Sequence, residues 1–66
     1  MDYIVIFVTT PDEYIASDIA KTLVEERFAG CVNIIKSVRS IYTWEGDIED
    51  DTEALMIIKT KKGMFK

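Results

Sequence analysis

The chain opens with a run of apolar side chains that no polar residue interrupts. Residues 3–8 read Tyr-Ile-Val-Ile-Phe-Val, and several of these are β-branched or aromatic, as is typical of strands. Because apolar and polar positions do not alternate, the run is typical of a strand covered on both faces. We therefore predict a strand over residues 2–9 with cover on both sides.

After this strand, the apolar positions recur with the period of a helix. Apolar positions three and four residues apart form one stripe, made of Ile15, Ala16, Ile19, Ala20, Leu23 and Val24. Thr10 and Glu13 have the spacing of a capping box, with Pro11 as the first helical residue. Gly30 is placed to end the helix in a left-handed conformation. The pattern predicts a helix over about residues 11–28.

Residues 31–60 predict two long strands joined at Glu45 and Gly46. If those two residues form the whole loop, the apolar positions of the first strand share one face, namely Val32, Ile34, Val38, Tyr42 and Trp44. A type I turn with Gly46 in a bulge is equally compatible with the sequence, and it would shift the register by one residue and exchange the faces. Residues 61–66 could open another helix.

The predicted order is β-α-β-β followed by the start of a further element. This is an α+β arrangement that corresponds to the first part of a ferredoxin-like β-α-β-β-α-β sandwich. One helix covers only one face of a sheet, so self-association through the other face is the simplest source of the remaining cover. The free edge of the first strand is expected to pair with a symmetry mate or with a continuation of the chain.

Charge and length exclude several classes of partner. The chain has 66 residues with twelve acids and eight bases, a net charge of −4, which argues against binding nucleic acid or anionic lipid. The N-terminal apolar run lacks the basic start of a signal peptide, and it is shorter than the roughly 20 residues of a membrane helix. We expect a cytoplasmic protein without nucleic-acid or membrane partners.

Cys31 is the only cysteine, and the chain has no histidine. An internal disulfide and a cysteine–histidine zinc cluster are therefore impossible. A nucleophilic cysteine usually has a histidine as its base, whereas free cysteines are among the most buried residues. We predict that Cys31 packs in the core; the alternatives are a soft metal ligand and a nucleophile.

The segment 45–53 contains most of the remaining candidate functional groups. Five carboxylates fall within seven residues, those of Asp47, Glu49, Asp50, Asp51 and Glu53, and such groups attract hard divalent cations. The spacing is not that of a calcium loop, so a solvated hairpin partly paired with Arg39 or Lys36 is the favoured interpretation. Glu49 and Asp51 remain candidate metal ligands beside Cys31.

Two large aromatic residues, Tyr42 and Trp44, lie near the hairpin end beside Ile41. Side chains of this kind often anchor protein–protein interfaces. We predict that these three residues lie in a subunit interface; the alternative is a ligand pocket at a subunit boundary.

Four segments resemble the CutA divalent-cation tolerance proteins. They are TTPDE at 9–13, LVEERFAGCVNI at 23–34, SIYTWEGDIEDDTE at 40–53 and LMIIKT at 55–60. The resemblance implies a ferredoxin-like fold related in shape to PII signalling proteins. It also implies a cytosolic homotrimer, with hairpin strands paired between subunits, that acts in tolerance or binding of copper or another divalent cation.

The chain departs from the family pattern in two respects. Members normally continue through a second helix and a fourth strand, so the resemblance implies that the single domain formed by residues 1–66 is incomplete at its C-terminus. The copper ligands proposed in some members are a cysteine at the position of Val8, and a histidine and a glutamate in the segment that would follow. Copper binding by that route is therefore not expected here.

The motifs of several enzyme and carrier classes are missing. The sequence has no glycine-rich phosphate loop, no Cys-x-x-Cys pair and no Ser-His-Asp or Cys-His set. We expect a protein without catalysis that acts in divalent-metal tolerance. The alternative is a PII-like regulatory module that binds a small molecule between subunits.

Overall fold

The structure, a computed structural model, describes residues 2–61. Its elements are β1 (Tyr3–Thr10), α1 (Glu13–Glu25), β2 (Cys31–Trp44) and β3 (Asp47–Lys61). The strands form one antiparallel sheet in the order β1-β3-β2. This confirms the predicted β-α-β-β arrangement. The further helix predicted over residues 61–66 falls outside the described residues, apart from Lys61, which ends β3.

The helix begins at a different cap from the predicted one. Asp12 is the N-cap, and its Oδ1 accepts hydrogen bonds of 2.9 Å from two backbone amides of the first turn. The capping box is wrong because Thr10 stays in β1, paired with Ala54. Its hydroxyl instead donates to the carbonyl oxygen of Asp12 at 2.8 Å. Pro11 precedes the helix, and Glu13 is the first helical residue. Its negative charge there interacts favourably with the positive end of the helix dipole.

The helix ends at Glu25 with Glu26 as its C-cap, and the left-handed residue that follows is Arg27 and not Gly30. Arg27 has a φ of +63°, the left-handed conformation that closes a Schellman motif. The amide of Phe28 donates to the carbonyl of Leu23 at 2.9 Å, and the amide of Arg27 donates to the carbonyl of Val24 at 3.1 Å, which are the two bonds of that motif. The role predicted for Gly30 is wrong, since its φ is not positive and its amide donates to the Lys59 carbonyl at 3.0 Å. Gly30 thus belongs to the start of the β2–β3 ladder.

Only the smallest residues of the helical stripe are fully buried. Ala16 and Ala20 are 0% and 8% exposed, so the helix approaches the sheet closely. The core beneath it also contains Ala29, Ala54, Met56 and Ile58, with Ile6, Leu23, Val32 and Ile34 packed around it. The core therefore occupies one face of the sheet, between α1 and the inner halves of the strands.

The hairpin turn is the predicted two-residue loop. Trp44 pairs with Asp47, and Glu45 and Gly46 have φ values of +50° and +85°. Positive φ at both central positions is the signature of a type I′ turn. The alternative, a type I turn with a bulge at Gly46, is not observed.

A β-bulge lies farther down the hairpin, between Ile35 and Val38. Ile35 pairs with Leu55, and Val38 pairs with Glu53, so Lys36 and Ser37 lie opposite the single residue Ala54. The prediction of one shared apolar face is therefore wrong. Two of its residues, Val32 and Ile34, face the helix, whereas Val38, Tyr42 and Trp44 lie on the other side of the sheet.

That other side, which we call the open face, has no covering element among residues 2–61. Tyr3, Val5 and Phe7 of β1 lie on it and are 67%, 52% and 66% exposed. Ile4 and Ile6 alternate with them and are only half-buried on the helix side. Within the described residues β1 is thus covered on one face only, and its cover on the second face stays a prediction.

Candidate functional site on the hairpin arm

The distal part of the β2–β3 hairpin, residues 38–53, forms an arm that we call the hairpin arm. None of its residues is buried, which is unusual for a segment with two isoleucines, a tyrosine and a tryptophan. The predicted interface residues Ile41, Tyr42 and Trp44 all lie here and are 64%, 42% and 62% exposed. Exposed aromatic side chains in such a segment are typical of an interaction surface.

Four of the five carboxylates that β3 contributes to the arm lie on one face. Along β3, side chains at alternate positions share a face, so the open face carries Asp47, Glu49, Asp51 and Glu53. Trp44 lies directly opposite Asp47, and Tyr42 lies opposite Glu49. Only Asp50 points to the other side. The acidic run is therefore a one-sided row next to two aromatic side chains.

Tyr42 is tied to this row by a short hydrogen bond. Its hydroxyl donates to Oδ2 of Asp51 at 2.5 Å. The bond and the neighbouring carboxylates of Asp51, Glu49 and Glu53 disfavour the phenolate, and they raise the pKa of Tyr42 to about 12. The bond fixes the orientation of the phenol ring on the open face.

The opposite side of the arm carries an ion pair. Arg39 Nε donates to Asp50 Oδ1 at 2.8 Å, and Nη2 donates to Oδ2 at 2.5 Å, which confirms the predicted pairing with Arg39. The guanidinium holds the pKa of the Asp50 carboxyl below its usual value. Both side chains are well exposed, so the pair contributes little to stability.

The three candidate metal ligands do not form one site. Cys31 lies opposite Lys59, whereas Glu49 lies ten positions away along β3, a separation of roughly 33 Å at 3.3 Å per residue. Glu49 and Asp51 are neighbours on the open face, but Asp51 already accepts the Tyr42 hydrogen bond. Among residues 2–61, no three Cys, Asp or Glu side chains are close enough to hold one ion.

Cys31 is exposed, so the prediction of a core position is wrong. The cause is strand alternation: Val32 faces the helix, which sends Cys31 to the open face. Its thiol donates a weak hydrogen bond to Asn33 Oδ1 at 3.8 Å. It lines a pocket of about 430 Å³ with Tyr3, Gly30, Lys59, Thr60 and Lys61.

A second depression lies between α1 and the bulge. Its volume is about 270 Å³, and its lining residues are Glu13, Tyr14, Ser17, Ile34 and Lys36. Lys36 brings a cationic group there because the bulge removes it from the regular ladder. Val8, at the position where the resemblance implies a copper ligand, pairs with Met56 in the sheet and has no ligating atom.

Lys59 and Lys61 are functional candidates that the sequence analysis missed. Both lie on the open face, in line with the acidic row of the same strand. The signal was present in the sequence, because β3 runs without interruption from Asp47 to Lys61. All of its odd-numbered residues therefore share one face.

Comparison with known proteins gives consistent matches. Residues 4–66 match the model of the CutA1 divalent ion tolerance protein family. The divalent-cation tolerance protein CutA of Thermus thermophilus is 48% identical over 61 residues, which cover 92% of this chain and 59% of that protein. Mouse Protein CutA is 52% identical over 58 residues, 88% of this chain and 33% of that protein. The chain thus spans between about a third and three fifths of the length of these relatives.

Solved structures agree with these matches. The divalent cation tolerance protein of Thermus thermophilus superposes with a TM-score of 0.90 at 45% identity, covering 97% of this chain and 62% of that one. A protein from Archaeoglobus fulgidus, described as a periplasmic divalent cation tolerance protein, gives 0.91 at 42% identity, with 97% and 62% covered. In the described part of this chain, no helix is long and apolar enough to cross a membrane.

Proposed function

Because the chain belongs to the CutA1 divalent ion tolerance family, we propose that it acts in tolerance to divalent cations. We further propose that it does so as a cytoplasmic homotrimer and without catalysis. The observation that carries the role is the match to the family model over residues 4–66, nearly the whole chain. The assembly is supported separately by the uncovered open face and the exposed hairpin arm.

The proposed absence of catalysis is supported by the surroundings of Cys31, the only cysteine of the chain. The Cys31 thiol has the Asn33 carboxamide as its hydrogen-bond partner. The sequence offers no histidine to act as its base. An activated cysteine usually has such a base or a comparable activating group.

Copper is the cation that the family resemblance implies, and the described residues do not fit a copper site. Copper sites combine imidazole, thiolate or thioether ligands within one coordination sphere, whereas Cys31 and the carboxylates of the arm lie at opposite ends of the sheet. We therefore assign no copper ligand and derive no step through bound metal.

Growth under metal stress tests the role in tolerance. A host that lacks its own family member should tolerate a higher copper concentration when it expresses this chain than when it carries an empty vector. Phe7→Asp places a charge on the open face and should abolish the gain, whereas Tyr14→Asp, a matched aromatic-to-acid change on α1, should not. Unchanged tolerance to copper and to other divalent cations would contradict the proposed role.

Molar mass in solution tests the trimer. Light scattering at micromolar concentration should give three times the chain mass of 7.6 kDa. The expectation rests on the exposed Val5 and Phe7, since large apolar side chains grouped on one face mark an interaction surface. A clean monomer at all concentrations would contradict the trimer.

Localisation is tested by cell fractionation. The chain should appear in the cytoplasmic fraction. The relative from Archaeoglobus fulgidus is described as periplasmic, so release of this chain with the periplasmic fraction is the outcome that would contradict the proposal.

A second candidate function is a PII-like module that binds a small molecule. The depression beside Lys36 favours it, because a residue with a cationic side chain and two with hydroxyl groups, Tyr14 and Ser17, line the same depression. A ligand that binds the native state raises its melting temperature by mass action. A shift with nucleotides that is lost in Lys36→Gln would favour this function over metal tolerance.

A further inference from the structure

The depression between α1 and the bulge is lined by two side chains of opposite charge. Glu13 comes from the first turn of α1, and Lys36 comes from β2. Neither forms an ion pair within the described part of the chain, where the one ion pair joins Arg39 to Asp50. The carboxylate and the ammonium therefore line the same depression without neutralising each other by direct contact.

The bulge accounts for the position of Lys36. Lys36 and Ser37 lie opposite the single residue Ala54, so regular pairing is interrupted where β2 passes the start of the helix. Lys36 follows Ile34 by two positions, and Ile34 packs on the helix side and lines the same depression. Bulges change the direction of a side chain in this way and are frequent beside functional sites.

The other lining residues supply apolar surface and a hydroxyl group. Tyr14 and Ser17 lie three positions apart on α1 and share a face with Glu13. Tyr14 is 74% exposed, whereas Ser17 and Ile34 are half-buried. The volume of about 270 Å³ is at the lower limit for ligand pockets. The depression thus suits a small molecule that has an apolar part and two charges.

We propose that this depression binds a free amino acid with an apolar side chain. The Lys36 ammonium donates to the carboxylate of the ligand, and the ligand ammonium donates to the Glu13 carboxylate. The apolar side chain packs against Tyr14 and Ile34. The proposal rests on the second candidate function, whose ligand it specifies. It does not depend on the open face, because the depression lies on the helix side of the sheet.

The charges of the depression disfavour ligands with one charge only. A phosphate or a nucleotide would be attracted by Lys36 but repelled by Glu13, and a metal cation would be attracted by Glu13 but repelled by Lys36. Among residues 2–61, no three Cys, Asp or Glu side chains are close enough to hold one ion. A zwitterion is the class of ligand that pairs with both groups.

An NMR titration of the ¹⁵N-labelled chain with L-phenylalanine tests the proposal. The amide signals of Ser17 and Lys36 should shift and saturate at millimolar ligand. N-acetyl-L-phenylalanine lacks the cation, and L-phenylalaninamide lacks the anion. Each should bind at least about tenfold more weakly, because one charged group of the depression is left unpaired.

Two neutralising variants identify the groups that bind each end of the ligand. Glu13→Gln should remove most of the preference for L-phenylalanine over its N-acetyl derivative, and Lys36→Gln should do so for the amide. Each should weaken L-phenylalanine binding at least about tenfold. Lys21→Gln and Glu25→Gln are the matched controls, since these residues line a separate depression of α1, and they should leave binding unchanged. Far-ultraviolet circular dichroism checks that each variant folds.

The outcomes separate this ligand from the function on which it rests. L-phenylalanine binding that is lost in the control variants, or that is unchanged in Glu13→Gln and Lys36→Gln, would overturn the proposed site. If nucleotides bind in a manner that depends on Lys36 and L-phenylalanine does not, the amino acid is overturned and the second candidate function stands. If neither binds, both are overturned, and the role in metal tolerance is unaffected.

Discussion

The phenol of Tyr42 and the carboxylate of Asp51 are joined by a hydrogen bond of 2.5 Å across the two strands of the hairpin arm. The residues are diagonal neighbours, since Tyr42 pairs with Glu49 and Asp51 pairs with Ser40. The bond therefore requires the observed register, in which the odd-numbered residues of β3 share the open face with Tyr42.

Replacing Asp51 by Asn should lower the pKa of Tyr42 from its value of about 12, because the amide carries no charge to oppose the phenolate. Absorbance at 295 nm against pH measures the change, with Tyr42→Phe identifying the signal. The pKa of Tyr42 in the folded chain lies above the ordinary tyrosine value of 10.0. The contribution of Tyr42 to stability is thus complete below pH 10 and is lost as pH rises toward 12. An unchanged titration in Asp51→Asn would contradict this account.

Replacing Asp12 by Ala should lower the free energy of unfolding by about 1 kcal/mol, because two amides of the first helical turn lose their acceptor. Asp12→Asn keeps an acceptor oxygen at the same place and should cost much less. Chemical denaturation measures both. Equal stability of the Ala variant and the wild type would show that Asp12 does not cap the helix.

Replacing Gly46 by Ala should cost roughly 1–2 kcal/mol of folding free energy, since its φ of +85° is unfavourable for a residue with a Cβ. Gly30→Ala is the matched control. A Cβ there would lie 3.8 Å from the Lys59 carbonyl oxygen, an ordinary contact at a normal φ. That change should be neutral or stabilise by up to about 1 kcal/mol. Thermal unfolding of the two variants distinguishes them, and a greater loss at Gly30 would contradict the assigned turns.

Replacing Arg27 by Gly should stabilise the chain by roughly 0.5–1 kcal/mol, because Arg27 holds the left-handed position that closes the helix. Glu26→Gly is the control one residue earlier, where φ is −83°, and it should destabilise. Melting temperatures of the pair give the comparison. A loss of stability on Arg27→Gly would mean that the side chain contributes more than its backbone strain costs.

The reaction rate of the Cys31 thiol should show whether another copy covers the open face. The thiol is exposed in the single chain, so its reaction with a chromogenic disulfide should be fast in dilute solution and slower where the copies associate. Cys31→Ser gives the blank, and denatured chain gives the rate without protection. A rate independent of concentration, over a range in which the mass changes, would place Cys31 outside the interface.

Most of the fold follows from local patterns in the sequence. The unbroken apolar run predicts β1, the helical stripe predicts α1, and the turn at Glu45 and Gly46 predicts the hairpin. The start of the helix was harder to predict from the sequence. Thr10 satisfies the capping pattern, but its backbone is held in β1 by pairing with Ala54. That pairing joins residues far apart in the sequence, so no local pattern contains it.

The candidate site was predictable only in part. The sequence indicates the aromatic and acidic residues of the arm, and it suggests Arg39 as a counter-ion. It contains no signal for the bulge between Ile35 and Val38, which decides which residues share a face with Tyr42. The exposure of Cys31 was missed for another reason: burial statistics describe cysteines in general, whereas its orientation follows from the register of one strand.

The bulge also has a consequence for the length of the chain. The turn dictates the pairing of the arm, the packing under the helix dictates the pairing of the inner strands, and the two requirements differ by one residue. Lys36 and Ser37 lie opposite the single residue Ala54, so β2 contains one residue more than a regular ladder would need between these two sets of pairs. Deleting one of them should leave a regular ladder, with the turn and both sets of pairs intact. Natural length variation of one residue in β2 would therefore be tolerated at this point more readily than anywhere else in the strand.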